Sequence, residues 1–280
     1  MTRRQLLLAA VAPFERLELT EPHMGTLVRI TVESQHPARA RAAMKQAFQR
    51  IRELDMRLSN YQPDSEVNHF DPDRVSGDLR PPLELARRLT RETDGAFDPT
   101  QTALFDLWRE ARRLKQMPTA VAIAAAKSSK SGRLDLGGIA KGYAADEARS
   151  VLREAGESRV LIAASGDLVA GDPPPRQAAW RIALEPVGRT IALRRAAVST
   201  SGDTEQFLEA NGQRYSHIID PRTGLGLTNG VVASVVANNG MLADALATVV
   251  CLLGVPAGTR LARRYGARVY ARQTSRNEPP

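Results

Sequence analysis

A chain of 280 residues, 42% hydrophobic and 25% charged, is long enough to bury a sizeable core and too apolar to be intrinsically disordered. Its formal net charge of +8 rests on arginine, since only five of the 39 basic residues are lysines. The arginines are scattered, aromatics make up 5%, and the two do not interleave, which argues against nucleic acid and for an acidic substrate or partner.

The chain opens with Thr2-Arg-Arg-Gln-Leu-Leu-Leu-Ala-Ala-Val-Ala12: a twin arginine, a short apolar run and an Ala-x-Ala ending. This is the layout of a twin-arginine export signal, and it sets residues 1–12 apart from one domain over 13–280. A partly apolar tail is the alternative reading. No stretch approaches the roughly 20 apolar residues of a membrane-spanning helix, so no transmembrane segment is expected.

Thr26–Val32 alternates as a strand. From Ala38 to Leu58, Met44, Phe48, Ile51, Leu54 and Leu58 recur at spacings of three and four, which predicts an amphipathic helix. A loop rich in Asn, Asp, Pro and Ser runs from Asn60 to Asp78. A helix from Pro82 to Glu92 leads into the loop Thr93-Asp-Gly-Ala-Phe-Asp-Pro99, and another helix centres on 120–126. After a Gly-Gly turn at Gly137 and Gly138 a further helix begins. Strands are predicted at Val160–Ala164, Trp180–Leu184, Thr190–Leu193 and Val231–Val236. Glu205–Ala210 and Gln213–Ile219 flank Asn211-Gly212, a strong signal for a tight hairpin. Helices at Met241–Leu253 and Ala257–Tyr265 and a strand at Ala267–Arg272 close the pattern. Strands and helices mix without βαβ alternation, so the fold class is α+β in one domain. Cys251, in an apolar run, has no second cysteine to pair with and reads as a buried small hydrophobe.

The chemistry concentrates in a few segments. In Leu134-Asp-Leu-Gly-Gly-Ile-Ala-Lys-Gly-Tyr-Ala-Ala-Asp146, glycines allow close approach of backbone to ligand, and a helix N-terminus attracts anions. A tight strand-to-helix turn with a surface lysine, Lys141, is the plainer reading. In Ala243-Asp-Ala-Leu-Ala-Thr248, Asp244 and Thr248 stand four apart on one helix face and offer hard oxygens to Mg²⁺. His217, near the end of a strand in Ser216-His-Ile-Ile-Asp-Pro221, is either a general base or a structural histidine. The other histidines, His23, His36 and His69, show no zinc-like spacing, which argues against a zinc site. Val198-Ser-Thr-Ser-Gly-Asp203 resembles the small polar turn that often lines a phosphate site, and Asp167 reads as the end of a buried strand. Tyr61 and Phe97 sit in loops, where each is either a stacking platform or a core anchor.

Taken together, these segments resemble the ApbE family of Mg²⁺-dependent FAD:protein FMN transferases. The resemblance runs through His23-Met-Gly-Thr26, Leu58-Ser-Asn-Tyr61 with Pro63-Asp-Ser-Glu-Val67, Thr93–Thr100, Leu134–Asp146, Thr200-Ser-Gly202, Ser216–Pro221 with Thr223-Gly224, and Ala243–Thr248. It implies a single-domain α+β architecture similar to the T-fold, with mixed sheets and packed helices. It also implies that Met24, Tyr61, Ala96, Phe97, Asp98, Asp135, Lys141 and Ile219 contact FAD, and that Asp244, Thr248 and the Gly138 carbonyl hold Mg²⁺. The implied reaction moves FMN from FAD to a threonine or serine of an acceptor protein, with His217 as base and AMP released. An FAD pyrophosphatase and a non-catalytic FAD-binding protein are the alternatives. Acceptors are expected among exported domains of membrane redox proteins, in the periplasm or another exported space. Three departures stand out. Ala247 occupies a position that carries an acidic ligand in some members, Lys127–Arg133 is shorter than usual and leaves an edge strand in question, and Ala163-Ala-Ser-Gly-Asp167 replaces an Asn-x-Gly-Gly-Asp-like run.

Overall fold

The structure is a computed structural model and describes residues 13–203 and 206–273. The expected export signal, residues 1–12, lies outside the described residues. In chain order the first elements are β1 (Glu15–His23), β2 (Thr26–Ser34), α1 (Pro37–Leu58), α2 (Arg80–Glu92), α3 (Thr102–Leu114), α4 (Ala120–Ser128) and α5 (Ala140–Glu154). Then come β3 (Val160–Ala164), β4 (Asp167–Ala170), β5 (Trp180–Leu184), β6 (Arg189–Leu193), β7 (Ala196–Ser201), β8 (Phe207–Ala210) and β9 (Gln213–Ser216). Last are β10 (Ile219–Asp220), β11 (Leu225–Gly226), β12 (Val231–Ala237), α6 (Gly240–Leu253), α7 (Val255–Arg264) and β13 (Arg268–Gln273).

The main sheet has the order β1-β2-β3-β4-β7-β12-β13, and every neighbouring pair in it is antiparallel. Period-two alternation assigns its faces. Val160, Ile162, Ala197, Val231, Ala233 and Val235 point into one core, whereas Leu161, Val198 and Val236 point into another. The first core is covered by α1, α5 and α6. There the helical spacing seen in the sequence puts Met44, Phe48, Ile51 and Leu54 at 1% exposure or less, each worth about 1.5–3 kcal/mol of burial. The second is covered by the β5–β6 ribbon through Trp180, Ile182, Leu184 and Leu193. A third, smaller lobe joins α3 and α4 to the ribbons β8–β9 and β10–β11, with Leu104, Trp108, Ala111, Ile123, Leu208 and Ile219 inside it.

Several elements depart from the sequence expectations. β1 pairs with β2 along all nine of its residues, although its alternation is carried only by Leu17 and Leu19 among charged residues. It is an edge strand, buried on one side. The central strand β7 occupies what reads as a polar turn. Its hydroxyls are satisfied across the sheet, Ser199 donating to Asp167 and Thr200 Oγ1 lying 2.7 Å from Ser234 Oγ. Asp167 begins β4 and does not end a strand, because Ser165 (φ 55°) and Gly166 turn the chain there, and a Cβ on Gly166 would lie 2.8 Å from the Thr200 carbonyl oxygen. The Asn211-Gly212 turn is as predicted, with both residues at positive φ (53° and 71°), but the strand after it stops at Ser216. Between α4 and α5, no strand is present among the described residues.

Candidate functional site

The site is organised by a contact between two helix starts. A Cβ on Gly142, in the first turn of α5, would lie 2.1 Å from the Gly240 carbonyl oxygen, and a Cβ on Gly240 would lie 2.4 Å from the Gly142 carbonyl oxygen. Only glycine permits that approach. The N-terminus of α6 is then held by Asp146 of α5, whose carboxylate accepts from the backbone N–H groups of Gly240 (2.8 Å) and Met241 (2.9 Å). Asn239 caps the same end by accepting from the Leu242 N–H.

Helix α6 is buried almost all round, and within it Asp244 is the polar exception at 2% exposure. Its Oδ2 accepts from the Gly142 N–H at 3.1 Å and lies 3.6 Å from Lys141 Nζ. Asp167 reaches the same ammonium from β4 at 3.4 Å, and Lys141 also donates to the Gly137 carbonyl at 3.0 Å. Burial and the neighbouring Asp167 push the Asp244 carboxyl above the usual carboxylate range, with Lys141 and the Gly142 N–H acting the other way. Burial works against the Lys141 charge, but Asp167 and Asp244 outweigh it and hold the ammonium well above the ordinary lysine value.

Thr248, one turn along α6, has its Oγ1 3.3 Å from Ser201 Oγ and 3.1 Å from where a Cβ on Gly138 would stand. The Phe97 ring edge is 3.5 Å from that same point. Gly138, Lys141, Asp244 and Thr248, predicted from separate motifs, therefore meet. Asp167 and Ser201 join them. Ser201 lies in the run read from the sequence as a phosphate-lining turn, whereas Asp167 had been given no role at the site, its only signal being the short polar run around it. Ala247 is fully buried, so the second carboxylate beside Asp244 comes from Asp167.

The donor set bears on Mg²⁺. Asp167 Oδ2 is buried and has no hydrogen bond, and two carboxylates with two hydroxyls make a hard-oxygen surround. Among the described residues, no group of three or more His, Cys, Asp or Glu side chains is disposed to hold a metal ion. The two carboxylates and two hydroxyls present are of the kind that suits Mg²⁺, which is commonly bound through one or two carboxylates with substrate phosphates and water completing its shell.

A second group of expected contacts lines up beside the crossing. Asp135 accepts from the Gly137 N–H (2.8 Å), from Asn60 Nδ2 (2.9 Å) and from Arg109. Arg109 lies 5.7 Å from the centroid of the Tyr61 ring, and that ring is 70% exposed. Tyr61 also packs 3.8 Å from the Cβ position of Gly25, next to Met24, which has φ 51° and donates its N–H to Asp55 at 2.8 Å. Ala96 and Phe97 are buried after the left-handed pair Asp94 and Gly95, and the Phe97 N–H is held by Thr93 Oγ1 at 3.0 Å. Asp98 turns back on Thr100 (2.9 Å to its N–H) and leads into α3. Ile219 is different: its side chain is 5% exposed within the small-lobe core, so any ligand contact falls to its backbone.

His217 follows β9. Its Nδ1 lies 3.1 Å from the Gln206 carbonyl oxygen, which can only accept, so Nδ1 carries the proton and Nε2 keeps the lone pair. Burial lowers its pKa below the ordinary 6.5, the Gln206 carbonyl works against that, and the charges of Arg112 and Lys141 push it down further. Asp220, by contrast, is engaged by the side chain of Arg222 (2.8 Å) and shapes the following turn.

Fold and site together define an α+β protein with an oxygen-rich, carboxylate-flanked cluster at a helix crossing and an exposed aromatic, Tyr61, next to Arg109. The model of the ApbE family matches residues 24–271, and the chain belongs to that family. The FAD:protein FMN transferase of Klebsiella pneumoniae is 30% identical to it, over 88% of this chain and 81% of the relative. The enzyme of the same name from Vibrio cholerae is 30% identical over 92% and 87%. Among solved structures, a mutant of the flavin transferase ApbE from Vibrio cholerae matches with a TM-score of 0.82 at 28% identity, covering 93% of this chain and 97% of that one. The apo flavinyl transferase ApbE of Pseudomonas stutzeri matches with a TM-score of 0.79 at 26% identity, covering 94% and 96%.

Proposed function

We propose that this chain moves the FMN half of FAD onto a threonine or serine hydroxyl of an acceptor protein and releases AMP, with Mg²⁺ as its metal. The observation that carries this reading is the meeting of Asp244, Thr248, Gly138 and the buried Asp167 carboxylate, ion-paired with Lys141, at the α5–α6 crossing of an ApbE-family chain. Asp244, Thr248 and the Gly138 carbonyl would hold Mg²⁺, which when bound neutralises phosphate charge that otherwise repels an oxygen nucleophile.

The remaining work belongs to the chain's own groups. Tyr61 offers an exposed ring face for the flavin, Met24 stands beside it, and the buried Phe97 ring lies against Gly138. Asp135, held by Asn60 and Arg109, presents a fixed acceptor, and Lys141 presents a cation to the phosphates. The Ile219 backbone closes the side next to His217. His217, neutral and with Nε2 free to accept, takes the proton of the acceptor hydroxyl as its oxygen bonds to the FMN phosphorus. The bond from that phosphorus to the AMP oxygen breaks, and AMP leaves.

Incubation with FAD, Mg²⁺ and exported flavin-acceptor domains is expected to give a fluorescent, covalently flavinylated band and stoichiometric AMP. Tight FAD binding without transfer to any acceptor overturns the reading. FMN and AMP released with no acceptor present identify a pyrophosphatase instead, and EDTA-insensitive binding with no AMP identifies a carrier. Residues 1–12 are read as the export signal that brings the enzyme to acceptors on membrane redox proteins. A fusion of residues 1–13 to a reporter active only after export checks this, and a reporter retained in the cytoplasm removes it.

A further inference from the structure

Helix α3 carries three arginines near its end, in unlike surroundings. Arg109 donates to Asp106 and Asp135, and Arg113 donates to Glu110. Arg112 is half-buried, and its guanidinium has no carboxylate or carbonyl partner among the described residues. It stands three residues past Arg109, on the same flank of the helix, and Arg109 is the residue that lies beside Tyr61. The helix is pressed onto the lobe that carries His217 through Trp108, whose ring centroid is 5.7 Å from that of Tyr215, and through Ala111. Arg112 therefore projects from the flank of α3 that carries Arg109, on a helix packed against the lobe of His217. Its charge is felt at His217, and Tyr61 and Arg109 are felt at Arg112.

The other cations around the pocket are engaged. Lys141 faces Asp167 and Asp244, Arg133 pairs with Asp106 (2.5 Å), Arg222 pairs with Asp220 (2.8 Å), and Arg214 lies near Asp203 and over the Phe207 ring (3.5 Å). A guanidinium cannot shed its charge, so partial burial beside a second arginine is unfavourable until an anion arrives. Its planar fork suits a phosphate, which can accept two parallel hydrogen bonds from it.

We propose that Arg112 is a further phosphate-binding residue of the FAD site, in addition to Lys141: its guanidinium receives an oxygen of the FAD pyrophosphate and holds the dinucleotide between Tyr61 and His217. This rests on FAD being the substrate. Equilibrium binding of FAD and of riboflavin, which lacks phosphate, is measured for the full-length wild type, Arg112→Gln and Arg112→Lys, each checked by its melting temperature. Arg112→Gln is expected to weaken FAD binding by roughly 10- to 100-fold and to leave riboflavin binding unchanged. Arg112→Lys, which keeps the charge but loses the fork, is expected to fall between the two. Wild-type FAD affinity in Arg112→Gln overturns the proposal, and so does an equal loss for riboflavin. Unchanged FAD affinity with a raised KM for the acceptor protein also overturns it, and places Arg112 against the acceptor. A wild type that binds no FAD removes the functional reading itself, an outcome distinct from a loss confined to the variants.

Discussion

At the α5–α6 crossing, Gly142 and Gly240 meet backbone to backbone, Asp244 is 2% exposed, and every polar neighbour is held from the main core. His217 instead hangs from a lobe of two-stranded ribbons, near Phe207 at 36% exposure, and the Tyr61 ring, next to Arg109, is 70% exposed. The first region is positioned by close packing and the second by a few hydrogen bonds on a small core. Groups that must hold charge at fixed spacing sit where the protein deforms least. Groups that meet a flavin ring and an incoming protein sit where they can be reached.

The strongest way to break this comparison is at Asp244. Replacing it with Ala removes one of two buried carboxylates, and transfer is expected to fall by about three orders of magnitude or more while α6, rich in helix formers, persists. Thr248→Val, nearly isosteric, is expected to lose less and to show a weaker Mg²⁺ dependence. A steady-state flavinylation assay over a Mg²⁺ titration reads both, and wild-type Mg²⁺-dependent activity in Asp244→Ala removes the site.

On the exposed side, His217→Asn is expected to slow transfer by about 10²- to 10⁴-fold with FAD binding retained. The pH profile supplies the sign. Burial depresses the pKa of His217 below 6.5, so the neutral base dominates at pH 7 and above. The wild-type rate is therefore expected to be flat through neutral pH and to fall on acidification, with a midpoint below 6.5 that vanishes in the variant. A midpoint above 7 contradicts the base assignment.

The crossing itself is tested by Gly142→Ala, whose Cβ would stand 2.1 Å from a backbone oxygen. A loss of about 3 kcal/mol is expected from the forced separation of the helices, or roughly 6–12 °C in Tm. Gly77→Ala, with nothing within 4 Å of its Cβ, is the control and is expected to stay within about 0.5 kcal/mol. Equal melting of the two variants removes the packing account. The smallest effect is expected at Tyr61→Ala, which leaves Tm essentially unchanged and weakens flavin binding by roughly tenfold through lost stacking. A large drop in Tm makes Tyr61 a structural anchor and narrows the contrast between the two regions.

Much of this molecule was legible in its residues. Helical spacing gave α1 through Met44, Phe48, Ile51 and Leu54, Asn211-Gly212 gave the hairpin, and the motifs around Asp135, Gly138, Asp244 and Thr248 gave the family and named residues of which Gly138, Asp244 and Thr248 meet near the α5–α6 crossing. These signals are local: a helix face, a tight turn and a glycine step each declare themselves within a dozen residues. Strand β1 and helix α3 were missed because each buries only a thin stripe, Leu17 and Leu19 in one, Leu104, Trp108 and Ala111 in the other. Strand β7 was missed because its hydroxyls imitate a turn until Asp167 and Ser234 are placed beside them. Tertiary structure alone decided that Asp167 stands next to Lys141 and Asp244, that Ile219 turns its side chain into a core, and that Arg112 has no carboxylate partner among the described residues. Each depends on which distant strand or helix lies alongside, and no periodicity within a segment encodes the identity of its neighbour.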